Sequence, residues 1–347
     1  MKKFFASKKV KAFFKALAIT VAVALVIPAG YFTLGRVVTP LPDSKNYDFN
    51  SRRDFDISNA IEDVPQNYFD KAEKSGRIEA LEYKTKTATK TAIIYLPPDY
   101  NENEKYDIIY FQGGANSTEK TFFGTPDDPD PKFSNMLDNM IANGNIKPMI
   151  AVCANFYEKP RSQTNMAELN TLYQNYNTEV RECLVPAVES KYSTFAESTS
   201  EEDFIASRQH RAFGGYSMGA AITWNMFINN LDYFYYFIPN CGGMQNPYTL
   251  HFGTDLGKNL NAEVEKLGYT PQDFFIYSAV GTFDITYNST KCLINDLYRH
   301  YKDNFVFTQG NTKNGNITFK KTAFAKHSFA NATTNFYNAL SALFPTE

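Results

Sequence analysis

Short apolar runs alternate with longer amphipathic stretches along most of the chain, and this alternation restricts the fold more than any other feature of the sequence. The apolar runs have the length of buried strands, and the stretches between them have the periodicity of helices that cover one face. Strands that alternate with helices predict βαβ units and a mostly parallel central sheet with helices on both faces. The predicted strands are "YDIIYFQGG", "PMIAVCAN", "HRAFGGYS", "YFYYFIPN", "DFFIYSAVG" and "NITFKKTAF".

An antiparallel hairpin is predicted before the first of these strands. "RIEALEYKT" and "TKTAIIYLPP" alternate between polar and apolar residues, and Pro97 and Pro98 end the second strand. Helices are predicted near residues 131–143, 166–192, 255–267, 287–302 and 331–344, and a further helix opens at Ser217. The pattern therefore predicts an α/β fold with an N-terminal antiparallel hairpin.

The first 36 residues differ from the rest of the chain. They contain seven Lys and Arg residues and no acid, and residues 16–35 carry no charge across 20 positions. A helix of this length spans about 30 Å, and the cations before it predict a cytoplasmic N-terminus with the remainder exported. The segment is either a membrane anchor or a cleaved signal, and its length favours the anchor. Polar residues 37–61 predict a linker, and residues 62–347 predict one domain.

The exported part is acidic and has no basic stripe, which argues against a nucleic-acid partner. The sequence predicts no metal, because its four histidines and four cysteines form neither an HExxH motif nor a Cys/His cluster. The acidic loop of residues 124–133 is an alternative candidate for a calcium site. Pro129 and Pro131 oppose the loop geometry that calcium ligation needs. We expect the cysteines to be mostly buried, with one disulfide allowed after export.

Ser217 lies in "GGYSMGAA", where a predicted strand turns into a predicted helix. Such a sharp turn places the backbone of a nucleophile in a strained conformation, so bulky residues at Gly215 and Gly219 would clash with the neighbouring strand and helix. The start of the helix offers free N–H groups beside an oxygen that becomes negative. We therefore predict that Ser217 is a nucleophile and not a serine that happens to lie between glycines.

The base and the acid are expected after the serine, at the carboxyl ends of later strands. His327 follows the last predicted strand, whereas His300 lies inside a charged helix, His251 follows the serine too closely and His210 precedes its strand. Asp284 follows the strand "DFFIYSAVG", where its carboxylate can orient the imidazole; a turn or helix-capping role is the alternative.

The oxyanion hole needs a second N–H donor besides that of Met218. In this arrangement the donor comes from the loop after an earlier strand, and "IIYFQGGANSTE" offers two glycines there. We predict that Gly114 is the donor, and the alternative is that the glycines only form a turn.

Four ordered segments resemble the feruloyl esterase and acetylxylan esterase group of carbohydrate esterases, within the α/β-hydrolase superfamily. They are "IYLPPDYNENEKYDIIYFQGG", "GGYSMGAAITW", "AVGTFD" and "KHSFANATTNFYNALSALF". The resemblance implies an α/β-hydrolase fold in which Ser217, Asp284 and His327 take the triad positions. It places Gly114 and Met218 at the oxyanion positions. The family usually has histidine before these glycines, where this chain has Gln112, whose amide can hydrogen-bond the loop.

The resemblance also implies what the domain acts on. Members of this group hydrolyse acyl groups, typically ferulate or acetate, from plant cell-wall xylan without a metal or organic cofactor. We therefore expect a small acyl ester or an acylated polysaccharide as the substrate, with the membrane contacted only through the N-terminal segment. Two alternatives are an acyltransferase or esterase for a non-carbohydrate ester, and a non-catalytic carbohydrate-binding protein.

Overall fold

The computed structural model describes residues 61–159, 161–164, 166–243, 254–308 and 314–345. Eight strands of these residues form one sheet. The strands are β1 Arg77–Lys84, β2 Thr89–Leu96, β3 Asp107–Gln112, β4 Met149–Ala154, β5 Arg211–Tyr216, β6 Tyr236–Asn240, β7 Phe275–Phe283 and β8 Ile317–Lys326.

The spatial order of the strands is β1-β2-β4-β3-β5-β6-β7-β8. β1 and β2 form an antiparallel hairpin, and β2 pairs antiparallel with β4. From β4 to β8 all neighbours are parallel. This confirms the predicted α/β-hydrolase fold, with its mostly parallel sheet and N-terminal hairpin. β3 and β4 are buried along their whole length, as expected for strands covered on both faces.

Helices cover both faces of the sheet. They are α1 Pro131–Ala142, α2 Met166–Glu179, α3 Val185–Glu189, α4 Glu201–Ala206, α5 Met218–Asn230, α6 Thr254–Leu267, α7 Tyr287–His300 and α8 Phe329–Leu340. α1 and α8 pack on one face. α2, α3, α5, α6 and α7 pack on the other. α5 is apolar around most of its circumference, so it is central in its layer, and Trp224 is fully buried there.

Two helical regions differ from the prediction. The helix expected over residues 166–192 is divided by a wider π-helical segment, Val180–Leu184, and its last part ends at Glu189. The short helix α4 was not predicted; it is capped by Ser200, whose hydroxyl accepts a hydrogen bond from the N–H of Asp203. Both segments precede β5 in the chain and lie away from the carboxyl ends of the strands.

A buried ion pair anchors the start of β5. The guanidinium of Arg211 contacts both carboxylate oxygens of Glu189 at 2.6 and 2.8 Å and donates to the carbonyls of Phe204 and Tyr233. The Arg211 and Glu189 side chains are essentially inaccessible to water, and such a pair is tolerated only when its remaining donors and acceptors are satisfied. The strand that leads to Ser217 is therefore held firmly at its beginning.

The predicted anchor, residues 1–36, and the predicted linker up to residue 60 lie outside the described residues. Within the ranges that the structure describes, every helix is too short or too polar to cross a membrane. All four cysteines are described, and all four are free thiols, with Cys153 and Cys241 buried.

Candidate active site

Ser217 occupies a sharp turn between β5, which ends at Tyr216, and α5, which begins at Met218. Its backbone has φ 60° and ψ −114°, a conformation that is strained for a residue with a side chain. The Ser217 N–H donates to the carbonyl of Asn240, 3.0 Å away on the neighbouring β6. The turn is thus fixed by the sheet and projects the hydroxyl from its carboxyl edge.

The glycines around the serine are required by the close approach of backbone segments. A Cβ on Gly215 would overlap the carbonyl group of Gly219, and a Cβ on Gly219 would overlap the carbonyl of Gln112 on β3. The start of α5 therefore lies directly against the end of β3. This is the steric requirement expected from the sequence.

The structure brings Ser217, His327 and Asp284 together at the carboxyl ends of three strands. His327 Nε2 lies 2.8 Å from Ser217 Oγ, and His327 Nδ1 lies 2.9 and 3.0 Å from the two carboxylate oxygens of Asp284. An ionised carboxylate only accepts, so Nδ1 carries the proton and the neutral imidazole accepts at Nε2 from the serine hydroxyl. The arrangement can remove a proton from Ser217.

The surroundings of Asp284 favour its ionised form. Burial acts to raise the pKa of Asp284, but hydrogen bonds from His327 and from the hydroxyl and N–H of Thr286 outweigh it and hold the pKa below its usual value. The residue is only 6% exposed. A negative charge therefore stays against the imidazole, where it can stabilise an imidazolium.

Gly114 and Met218 both lie next to the serine, Gly114 in space and Met218 in the chain. A Cβ on Gly114 would lie 3.2 Å from the Cβ of Ser217, so the loop after β3 passes directly beside the hydroxyl. Met218 is the first residue of α5, and N–H groups in the first turn of a helix have no partner within it. These positions suit two N–H donors aimed at one oxygen.

Comparison with known proteins assigns this chain to a family. A family model described as putative esterase matches residues 85–244. A solved serine-to-alanine mutant of the feruloyl esterase module from Clostridium thermocellum, complexed with sinapinate, is 30% identical; the match covers 82% of this chain and 94% of that module, with a TM-score of 0.71. This chain belongs to the feruloyl esterase-like carbohydrate esterases.

Two further relatives agree with this assignment. A solved structure described as FAE is 31% identical to this chain. The match covers 82% of this chain and 94% of that one, with a TM-score of 0.73. Endo-1,4-beta-xylanase Y from Acetivibrio thermocellus is 33% identical over 250 residues. That match covers 72% of the esterase and 22% of the relative, so the chain spans about a fifth of the length of this curated protein.

The ring of Tyr216, which precedes the serine, lies against two other rings at the candidate site. Its ring stacks on the imidazole of His327 at 4.9 Å and 27°, and the ring of Phe329 meets it edge-on. Burial raises the pKa of the Tyr216 phenol, so the hydroxyl stays neutral. Sequence reasoning missed this residue, because the middle positions of GxSxG carry no signal for a ring stacked on the base.

Cys241 is a second residue that the sequence did not reveal. It lies just beyond β6 with φ 52°, and its sulfur accepts hydrogen bonds from the amides of Asn331 and Asn335 at 3.5 and 3.4 Å. Burial and the negative charge of the Asp284 carboxylate both raise the pKa of the Cys241 thiol, which stays protonated. The last helix, α8, is thereby linked to the acid of the site.

Gln112 does not make the contact expected of it. Its side chain is 1% exposed, and its Oε1 atom has no hydrogen-bond partner in the described part of the chain. This oxygen therefore accepts no hydrogen bond from the glycine loop, which the amide could have contacted. The contribution of this residue comes from its backbone carbonyl, against which Gly219 packs.

The other histidines lie elsewhere or outside the described residues. His210 Nδ1 is 2.7 Å from the carboxylate of Asp107 at the amino ends of the strands, and His300 pairs with Asp296 on α7. His251 lies outside the described residues. Among the residues that the structure describes, no cluster of His, Cys, Asp or Glu could hold a metal ion.

The steric account of the turn predicts unequal effects for two adjacent glycines. In Gly215→Ala the new Cβ overlaps the backbone of Gly219 and pushes the start of α5 away from β5. We therefore expect the free energy of unfolding to fall by about 3 kcal/mol or more. The matched control is Gly214→Ala, whose Cβ would meet the side chains of Ile238 and Phe336 at 3.2 and 3.3 Å and no backbone atom closer than 3.6 Å. We expect this control to lose about 1 kcal/mol. Denaturant unfolding monitored by circular dichroism measures both, and equal losses would contradict the account.

Proposed function

We propose that the protein is a serine carboxylic ester hydrolase that releases acyl groups, feruloyl first and acetyl second, from plant cell-wall xylan. One observation carries the reaction type: a single imidazole lies within hydrogen-bond distance of both a serine hydroxyl and a buried carboxylate. The acyl group is inferred from relatives, since the mutant feruloyl esterase module of Clostridium thermocellum was solved in complex with sinapinate. Sinapinate, like ferulate, is a hydroxycinnamate.

In the proposed reaction Ser217 Oγ attacks the ester carbonyl while His327 Nε2 takes its proton. The carbonyl oxygen becomes an oxyanion and receives hydrogen bonds from the N–H groups of Gly114 and Met218. The C–O bond to the alcohol then breaks, and His327 returns the proton to the departing oxygen. Water repeats the sequence on the acyl-serine and releases the acid and free Ser217. Asp284 keeps the imidazole in the required tautomer throughout.

Three substitutions test the proposed roles. We expect Ser217→Ala, His327→Ala and Asp284→Asn to lower kcat by about three to six orders of magnitude each, because each removes a part of one proton-transfer unit. The measurement is hydrolysis of methyl ferulate and of acetylated xylan by the purified domain, with circular dichroism to show that the variants fold. The control is Ser134→Ala on α1, a half-buried serine whose hydroxyl hydrogen-bonds the Pro131 carbonyl; it should keep full activity.

The two substrates separate the acyl groups. Faster turnover of methyl ferulate than of acetylated xylan supports the feruloyl assignment, and the reverse assigns the enzyme to acetyl esters. Transfer of the acyl group to an added sugar in place of water would identify an acyltransferase. If Ser217→Ala keeps full esterase activity, the proposed nucleophile is wrong.

The pH dependence follows from the charge state of Asp284. Its pKa is held below the usual value of about 3.9, so the carboxylate stays ionised between pH 5 and 8. Activity on a small ester should then fall on acidification with a slope of one proton, because Asp284 keeps its charge and adds no second titration in this range. A kcat/KM profile from pH 4.5 to 8 measures this. A slope of two protons on the acid side would show that Asp284 titrates as well, against the account.

We further propose that residues 1–36 hold the protein at the membrane with the domain outside the cytoplasm. The support is the charge-free stretch at residues 16–35 behind a group of lysines. Fractionation of cells that express the full chain should place the protein in the membrane fraction. Protease added from outside the cytoplasmic membrane should digest the domain. Activity in the cytoplasmic fraction would contradict this location, and activity free in the medium would show a cleaved signal.

A further inference from the structure

Three apolar side chains project into solvent beside the candidate triad. Phe283 is 55% exposed, Ile285 is 75% exposed and Phe324 is 74% exposed, and they are three of the five large hydrophobic residues exposed in the described part of the chain. The rings of Phe283 and Phe324 meet edge to face, 5.3 Å apart at 80°. We call Phe283, Ile285 and Phe324 the rim patch. A contiguous exposed group of this kind marks a binding surface more often than isolated residues do.

The rim patch is held in place by an irregularity of the sheet. The pairing of β7 with β8 shifts between Gly281 and Phe283, so that β8 contains extra residues at this point. Phe324 lies in the extra segment with φ 58°, and its N–H donates to the Thr282 hydroxyl at 2.8 Å. An aromatic residue rarely adopts this backbone conformation, and strain of this type is concentrated at functional sites. The bulge turns the Phe324 ring outward toward Phe283.

The rim patch borders the acid and the base of the triad. Phe283 and Ile285 are the neighbours of Asp284 in the chain, and Phe283 pairs with Lys326, the residue before His327. Gly114 and Met218, by contrast, flank Ser217. The patch thus lies along the Asp284–His327 side of the site.

The chemistry of ester cleavage assigns the two halves of the substrate to different sides. The carbonyl oxygen must point at the N–H donors, whereas the alcohol oxygen must lie within reach of His327 Nε2 to receive its proton. The alcohol half therefore leaves over the imidazole, toward the residues that border it. In an acylated polysaccharide the alcohol half is the sugar chain.

We propose that the rim patch is a subsite for the sugar chain that carries the ester, with the rings of Phe283 and Phe324 packed against the apolar C–H faces of the sugar units. This inference rests on the proposed esterase function and names the part of the substrate that the patch recognises. Aromatic faces carry negative charge density and attract the C–H bonds of a sugar. An open, half-exposed pair suits an extended chain that passes across the surface, whereas an acyl group would need an enclosed pocket.

The test compares a polymeric substrate with a small one. In the double variant Phe283→Ala/Phe324→Ala we expect KM for a feruloylated xylo-oligosaccharide to rise about tenfold with kcat unchanged, because the lost contact acts equally in the ground state and the transition state. For methyl ferulate, which has no sugar, kcat and KM should both stay within about twofold of the wild-type values. The matched control is Tyr298→Ala, an exposed aromatic on α7 whose ring contacts Phe307 near the other end of β8.

Binding without turnover supplies a second measurement. Ser217→Ala should bind the feruloylated xylo-oligosaccharide in a calorimetric titration, and Ser217→Ala combined with the two Phe→Ala changes should bind it about tenfold more weakly. Phe324→Gly removes the ring and the backbone strain together, so it should raise KM for the oligosaccharide without lowering the melting temperature. That combination distinguishes a binding role from a structural one.

Several results would overturn the inference. An unchanged KM for the oligosaccharide in the double variant would show that the rings do not contact the sugar. An equal loss on methyl ferulate would assign them to the acyl group, and a change of molar mass in solution would assign the patch to contact between two copies of the chain. Failure of the wild-type protein to hydrolyse either ester is a separate outcome, since it rejects the proposed function itself.

Discussion

The close approach of α5 to the end of β3 is the constraint on which the rest of the site depends. It is possible only because Gly215 and Gly219 have no side chains, and it leaves Ser217 with positive φ at the edge of the sheet. The strain at Ser217 is offset by the sheet around it, which accepts the serine N–H on β6 and holds β5 through the buried pair of Arg211 and Glu189. A strained residue persists only where the surrounding structure determines its position.

Asp284 and His327 are supported by residues near the carboxyl ends of β6 and β7 and by α8. Asp284 receives hydrogen bonds from His327 and Thr286, and its charge acts on the thiol of Cys241, whose sulfur is held by two asparagines of α8. The last helix therefore contributes to the site although it supplies none of the three proposed catalytic side chains. Neutral donors around a carboxylate favour its charged form without competing for the imidazole. The polar support beneath the triad explains how a buried carboxylate can remain ionised.

Much of this arrangement could be predicted from the sequence, because the elements that carry it have strong local signals. The strands are short apolar runs with clear limits, and the rule that chemistry gathers at their carboxyl ends selected Asp284 and His327 from several candidates. Contacts between distant segments had no such signal. The Tyr216 ring on His327 and the Cys241 sulfur beneath Asp284 depend on side-chain directions that only the packed chain defines. The π-helical segment Val180–Leu184 was equally invisible, since its residues have ordinary helical composition.

The central claim is that the hydroxyl of residue 217 is activated by the imidazole that lies 2.8 Å away. A fluorophosphonate reacts with such an activated serine and leaves a stable adduct, which intact-protein and peptide mass spectrometry locate directly. The account predicts one adduct per chain, on the peptide that contains Ser217, with labelling abolished by Ser217→Ala and strongly slowed by His327→Ala. An unlabelled wild-type protein, or an adduct on a different residue, would contradict it.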